Sequence, residues 1–142
     1  MSFNNNIFII SGEFSGELHA ARLVESLSSR HPFHVSAVGS NKLKSAGAEI
    51  IYDYRDISIV GLSEVLSKAF HLRRAFRTVK EHIRINRPAL IILVDFPGFN
   101  LRIARYAKSL GIPVIYFIAP QIWAWREKRV QIIKSCVNQV IS

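Results

Sequence analysis

The chain is poor in the features that staple or anchor small proteins. Cys136 is its only cysteine, which excludes a disulfide framework and a cysteine-based metal cluster and fits a reducing compartment. No apolar run approaches the ~18 residues of a membrane span. The opening MSFNNNIFIISGE has neither a basic n-region nor an apolar stretch long enough for a signal peptide, so a soluble, cytoplasmic protein is expected. Prolines number five, and there is no low-complexity tract or internal repeat. Acidic residues are scarce as well: ten Asp and Glu face nineteen Lys and Arg, for a net charge of +9. Such an imbalance calls for an anionic partner, whether nucleic acid, a phosphorylated ligand or an acidic membrane surface.

What is present is a regular alternation over 142 residues, the length of one ordinary domain. Apolar runs at 6–10, 33–39, 49–53, 90–94 and 113–118 read as strands, and NQVIS reads as the opening of a sixth. Between them lie helical patterns. Leu18, Ala21, Val24 and Leu27 mark one over 17–29. Val65, Ala69, Leu72, Phe76, Val79 and Ile83 form a single core-facing stripe over 62–86, stopped by Pro88. A helix over 101–110 is expected to be capped by Asn100 and ended by Gly111, and another spans 126–136. Uniformly apolar strands alternating with helices predict an α/β domain: a doubly wound, mostly parallel Rossmann-like sheet with helices on both faces. Ligands of such sheets sit beyond the carboxyl ends of the strands, which places the turns after Ile10, Val94 and Ile118 on one rim.

Three stretches on that rim could carry chemistry. SGEFSGE (11–17) joins the first strand to the first helix, and Gly12 and Gly16 permit a tight turn with amides aimed at an anion or sugar hydroxyl. It matches neither a P-loop nor GxGxxG, against an ordinary ATPase or dinucleotide site, and it serves equally as a structural turn in which Ser15 caps the helix. In VDFPGFN (94–100), Asp95 is either a turn-stabilising acceptor or a general base for a hydroxyl nucleophile. His19 is a second candidate base, more simply read as half-exposed on its helix. In APQIWAWREKR (119–129), Trp123 and Trp125 either plug the core or stack on a ring, Arg126 offers a phosphate contact, and Gln121 a sugar contact.

The long helix adds a surface. Leu62, Leu66 and Phe70 flank its core stripe, and Arg73, Arg74 and Arg77 belong to a run of seven cations from Lys68 to Arg87 opposed by Glu81. This is either a solvated basic face or an interfacial one, with apolar residues dipping into lipid and cations meeting headgroups. No nucleic-acid-binding module signature appears, and no cluster of His and carboxylates suggests a metal.

Taken in order, SGEFSGE, VGLSEVL, VDFPGFNLRIA and PQIWAWREKRV resemble lipid-A-disaccharide synthase over essentially the whole chain. The Trp-Ala-Trp-Arg and Pro-Gly-Phe-Asn elements are the specific part. The resemblance implies one half of a GT-B glycosyltransferase, in which two Rossmann-like domains face each other across a cleft. It implies an inverting transfer of 2,3-diacylglucosamine from its UDP donor to 2,3-diacylglucosamine 1-phosphate, giving the β-1′,6 disaccharide of lipid A and UDP. No cofactor or metal is implied. Asp95 aligns with the aspartate considered essential, acting on the acceptor's 6-hydroxyl. Ser11, Gly12, Glu13, Ser15, Gly16, Asn100, Gln121, Trp125 and Arg126 become substrate-binding candidates.

Membrane contact through Leu62, Leu66, Phe70, Arg73, Arg74 and Arg77 is expected, at the anionic inner membrane, because both substrates carry acyl chains. The family often carries Asp at the positions of Glu17 and Gly98. Residues 1–142 correspond to the amino-terminal, acceptor-side domain, so the nucleotide-sugar domain is expected to be absent and the chain alone inactive. The alternative is a non-catalytic lipid- or membrane-binding module of the same fold.

Overall fold

Every predicted strand is present, and all six pair in parallel. The computed structural model describes residues 4–58, 64–117 and 127–141, without the side chains of 57–58, 64–68, 127 and 129. The strands are β1 (Asn6–Ser11), β2 (His34–Gly39), β3 (Glu49–Asp53), β4 (Leu90–Val94), β5 (Val114–Phe117) and β6 (Gln139–Ile141), in the order β3-β2-β1-β4-β5-β6. Helices α1 (Phe14–Arg30) and α2 (Asn41–Ser45) pack on one face, and α4 (Glu64–Asn86), α5 (Pro97–Ser109) and α6 (Glu127–Cys136) on the other. The short α3 (Arg55–Ser58) leads from β3 towards α4.

The strands are apolar throughout because both faces are covered. Along β1, Ile7 and Ile9 join Val24 of α1 and Leu43 of α2, while Phe8 and Ile10 join Val79 and Ile83 of α4. Each fully buried side chain of this size contributes about 1.5–3 kcal/mol over remaining in water. Alternation with a period of two therefore divides one strand between two cores.

Helix limits and faces differ from expectation in ways that matter for the site. α1 begins at Phe14, so Ser15 lies inside its first turn and does not cap it. α5 begins at Pro97 and contains Asn100, because a proline at the first position already has the required φ and needs no amide partner. Gly111 does close α5, with φ +72, and the Ile112 amide turns back to the Ala107 carbonyl at 3.0 Å. On α4 the buried line is Ala75, Val79 and Ile83, with Leu72 and Phe76 half-buried and Ala69 exposed.

Candidate functional site

The sheet order reverses between β1 and β4. The chain leaves β1 for β2 on one side and β4 for β5 on the other, so the two following turns diverge and leave a crevice between them. Ser11 and Val94 are register partners at the edge of this crevice. The turn after β1 (Gly12–Glu13) and the corner after β4 (Asp95–Phe96) therefore face one another across it.

The corner is unusual in its backbone. Asp95 and Phe96 both have φ of +51, two successive non-glycine residues in the left-handed region. Each such residue costs on the order of 1–2 kcal/mol. Pro97 contributes by disfavouring a right-handed helical Phe96. Two hydrogen bonds hold the strained unit: Tyr116 Oη and Asn100 Nδ2 both donate to the Asp95 carbonyl, at 2.6 and 2.8 Å. With its main chain tied down twice, Asp95 keeps its side chain half-exposed, and its carboxylate has no hydrogen bond or ion pair among the described residues. The turn-stabilising role is filled by its carbonyl. A half-exposed carboxylate with no partner among the described residues, on a corner anchored twice, has the chemistry to accept a proton from a hydroxyl.

The opposite wall fits this corner closely. A Cβ on Gly12 would lie 2.4 Å from the Phe96 ring, and one on Gly16 would lie 3.2 Å from Val94 and 3.7 Å from the Asp95 Cβ. Both glycines are there for close approach. Ser11 is fully buried, and its hydroxyl donates to the Glu13 carbonyl at 3.3 Å. Gly16 is buried too, whereas Glu13 and Ser15 are exposed at the crevice and His19 lies exposed further along α1.

Asn100 requires a correction. It is fully buried, and its amide nitrogen donates to Asp95 and approaches the Ile10 and Val94 carbonyls at 3.4 Å. It therefore ties the ends of β1 and β4 together at the reversal and is sealed from any substrate. Its Oδ1 is buried without a partner among the described residues. Tyr116, absent from the sequence-based candidates, shares the positioning role. Its place in an apolar strand marked it only as core.

Glu17 is likewise structural. Its buried carboxylate accepts from the Ser40 amide (2.7 Å), the Ser40 hydroxyl (2.6 Å) and the Leu43 amide (3.0 Å), so it holds the start of α2 against α1. Burial alone would raise its pKa, but the bonds from Ser40, Leu43 and Tyr54 outweigh burial and hold it below the ordinary glutamate value. At the end of β3, Asp53 is held below the usual range chiefly by its hydrogen bonds to the Arg55 guanidinium, against burial.

Phe96 stacks on Phe99 at 5.2 Å and 11°, and Phe99 meets Phe76 of α4 edge-on at 5.8 Å. This aromatic series lines a trough between α4 and α5 leading away from Asp95. On α4, Phe70 is 64% exposed and Arg73, Arg74 and Arg77 are exposed beside it. Leu62, Gln121, Trp123, Trp125 and Arg126 lie outside the described residues, and Leu66 is described only as helix backbone.

Comparison with known proteins gives a family from the sequence and a fold from the structure. A family model described as lipid-A-disaccharide synthetase matches residues 7–142. The chain is 43% identical over 138 residues to lipid-A-disaccharide synthase 1 of Legionella pneumophila, a match covering 96% of this chain and 36% of that protein. The chain thus spans about 36% of the length of that relative. In fold it is similar to a UDP-GlcNAc 2-epimerase from Neisseria meningitidis, bound there to UDP-GlcNAc (TM-score 0.64, 11% identity, 95% of this chain and 39% of that one). It is also similar to the glycotransferase of kitacinnamycin (TM-score 0.57, 18% identity, 92% and 34%).

Proposed function

The chain belongs to the lipid-A-disaccharide synthetase family, and we propose that it supplies the acceptor side of that family's transfer reaction. In this reading 2,3-diacylglucosamine passes from its UDP donor to the 6-hydroxyl of 2,3-diacylglucosamine 1-phosphate, and UDP is released. One observation carries the proposal: the half-exposed Asp95 carboxylate on a doubly anchored corner at the β1/β4 reversal.

Asp95 takes the proton as the hydroxyl oxygen attacks the anomeric carbon from the side opposite the leaving diphosphate, so configuration inverts. α1 begins at the same crevice, and its first-turn amides, with Glu13 and Ser15, are available to the acceptor's hydroxyls. Gln121, Trp125 and Arg126 remain proposed contacts on the grounds of the resemblance. The diphosphate needs positioned donors and cations on its far side, which we assign to a second, nucleotide-sugar-binding domain. Residues 1–142 are then the acceptor-side domain, inactive in transfer without that second wall.

Contact with the cytoplasmic face of the inner membrane belongs to the same proposal. Exposed Phe70 beside Arg73, Arg74 and Arg77 supports it, each cation near an anionic surface contributing about 1 kcal/mol. Leu62 and Leu66 are assigned to this contact from the sequence alone.

The test is to combine this chain with the carboxy-terminal part of the Legionella pneumophila relative and both substrates, and to measure disaccharide. Product is expected from the pair and from neither half alone. Asp95→Asn should lower the rate by about 10²–10⁴-fold. An Asp95→Asn pair as active as the unaltered one would refute the assignment and favour a binding module.

A further inference from the structure

The α4–α5 trough has a composition that the transfer chemistry at Asp95 does not account for. Its floor and walls are apolar, formed by Leu72 and Phe76 of α4 together with Phe96 and Phe99, and its volume is about 670 Å³. That is the size of an ordinary small-ligand site. Arg73 and Arg102 stand at its edges. Phe76 and Arg73 also line a second, adjoining depression with Arg77, Lys80 and Arg84.

The charge along these joined depressions is one-sided. Glu81 is the single acid, and it pairs with Arg84 at 3.2 Å. Lys80 lies over the rings of Phe76 and Tyr106, at 5.4 and 4.6 Å. Arg73, Arg77 and Arg102 have no carboxylate partner among the described residues. An apolar channel bordered by guanidiniums without carboxylate partners among the described residues complements a molecule with a hydrocarbon tail and a compact anionic head.

We propose that this trough binds one acyl chain of the phosphate-bearing acceptor, with the chain lying along Phe76, Phe96 and Phe99 and the phosphate at Arg73. The identification of that lipid as the acceptor rests on the function proposed above; the existence of the site does not. Phe96 belongs both to the corner that presents Asp95 and to the wall of the trough, so a chain seated there also fixes where its sugar stands relative to the carboxylate. The trough is thereby a specificity element as well as an anchor.

Decyl phosphate, used below its micelle concentration, is the probe, and binding to the 142-residue chain is read by calorimetry. One-to-one binding is expected. Two substitutions fill the trough from opposite walls: Ala69→Trp on the exposed side of α4, and Gly98→Leu on α5, where an added Cβ meets nothing within 4 Å. Each should weaken binding by about tenfold or more, and Arg73→Gln by a comparable factor. Thermal melting of each variant identifies one that has lost its fold, and the other wall then decides.

Inorganic phosphate binding as tightly as decyl phosphate would reduce the site to a cationic surface and overturn the proposal. Undiminished decyl phosphate binding in both folded wall variants would overturn it as well. So would a dimer that dissociates on Ala69→Trp, which makes the trough a self-association surface. Decyl phosphate binding requires no transfer step, so an inactive reconstituted enzyme with intact, trough-dependent binding counts against the catalytic reading and not against this one.

Discussion

Asp95, Asn100 and the two crevice glycines show how much of a site is settled by single positions. Asp95 was identifiable from its place after an apolar strand, but its left-handed φ and the double anchor on its carbonyl come from residues 5 and 21 positions away. Asn100, an equally plausible sugar ligand by side-chain type, is consumed in joining two strand ends. The glycines give a sharp test, because Gly12 and Gly98 are both near Asp95 yet have opposite surroundings. Gly12→Ala forces a methyl into the Phe96 ring and should destabilise by about 1–3 kcal/mol. Gly98→Ala points into open space within a helix and should stabilise by about 0.5–1 kcal/mol. Urea denaturation of the two variants checks this, and equal effects would remove the argument for close packing across the crevice.

Between elements, one buried and one half-buried ionisable contact set the response to acid. Glu17 joins α1 to the start of α2, with its folded pKa below the ordinary value; its contribution is complete above about pH 4.5 and is lost as pH falls through the folded pKa. His82 joins α4 to the sheet. Its ring packs on Phe8 at 4.7 Å, and Nε2 lies 2.9 Å from the Ser36 hydroxyl. The Asn86 amide nitrogen, 3.2 Å from Nδ1, can only donate, so Nδ1 accepts and the neutral ring carries its proton on Nε2. Burial lowers the His82 pKa, against the pull of Glu49 and with a smaller push from His34. A depressed histidine pKa means the unfolded chain binds more protons, so this contribution is complete above about pH 6.5 and declines below it.

Stability measured against pH should therefore fall in two stages. His82→Gln should flatten the decline that begins at about pH 6.5, and Glu17→Gln the one that begins at about pH 4.5. The latter should also cost about 1–3 kcal/mol at neutral pH by leaving buried donors poorly matched. A single-stage curve unaffected by either change would contradict both assignments. The end of α4 at Asn86 and its core line at Val79 and Ile83 were legible from spacing, whereas Ala69 of the expected stripe is exposed and Ala75, outside it, is buried. The starts of α1 and α5 were misplaced, because Phe14 and Pro97 begin helices without the side-chain caps that a sequence reader looks for.

For the molecule as a whole, the decisive quantity is the positive charge and where it gathers. With +9 overall and an α4 face carrying Phe70, Arg73, Arg74 and Arg77, the proposed membrane contact is part electrostatic and part apolar. Flotation with phosphatidylglycerol vesicles should show binding that weakens as salt is raised, since exposed charges are screened over about 10 Å at 0.1 M. Phe70→Ser should weaken binding without altering that salt dependence. Equal binding to vesicles of phosphatidylcholine alone, or none to either, would discard the interfacial reading. No helix among the described residues is long and apolar enough to cross a membrane.

By itself the sequence determined the six strands and the longer helices, that the sheet is parallel and covered on both faces, and that Asp95 lies just beyond the carboxyl end of its strand. Those follow from local patterning, because continuous apolar runs and helical spacing are imposed by burial along each segment. Tertiary structure alone decided that β1 and β4 are neighbours. That adjacency puts the glycine turn against the aspartate corner and draws Asn100 into contact with both strand ends, while β4–β5 pairing brings Tyr116 to the Asp95 carbonyl and the start of α2 encloses Glu17. Each depends on strand order and distance across the fold, which no pattern within a single segment contains.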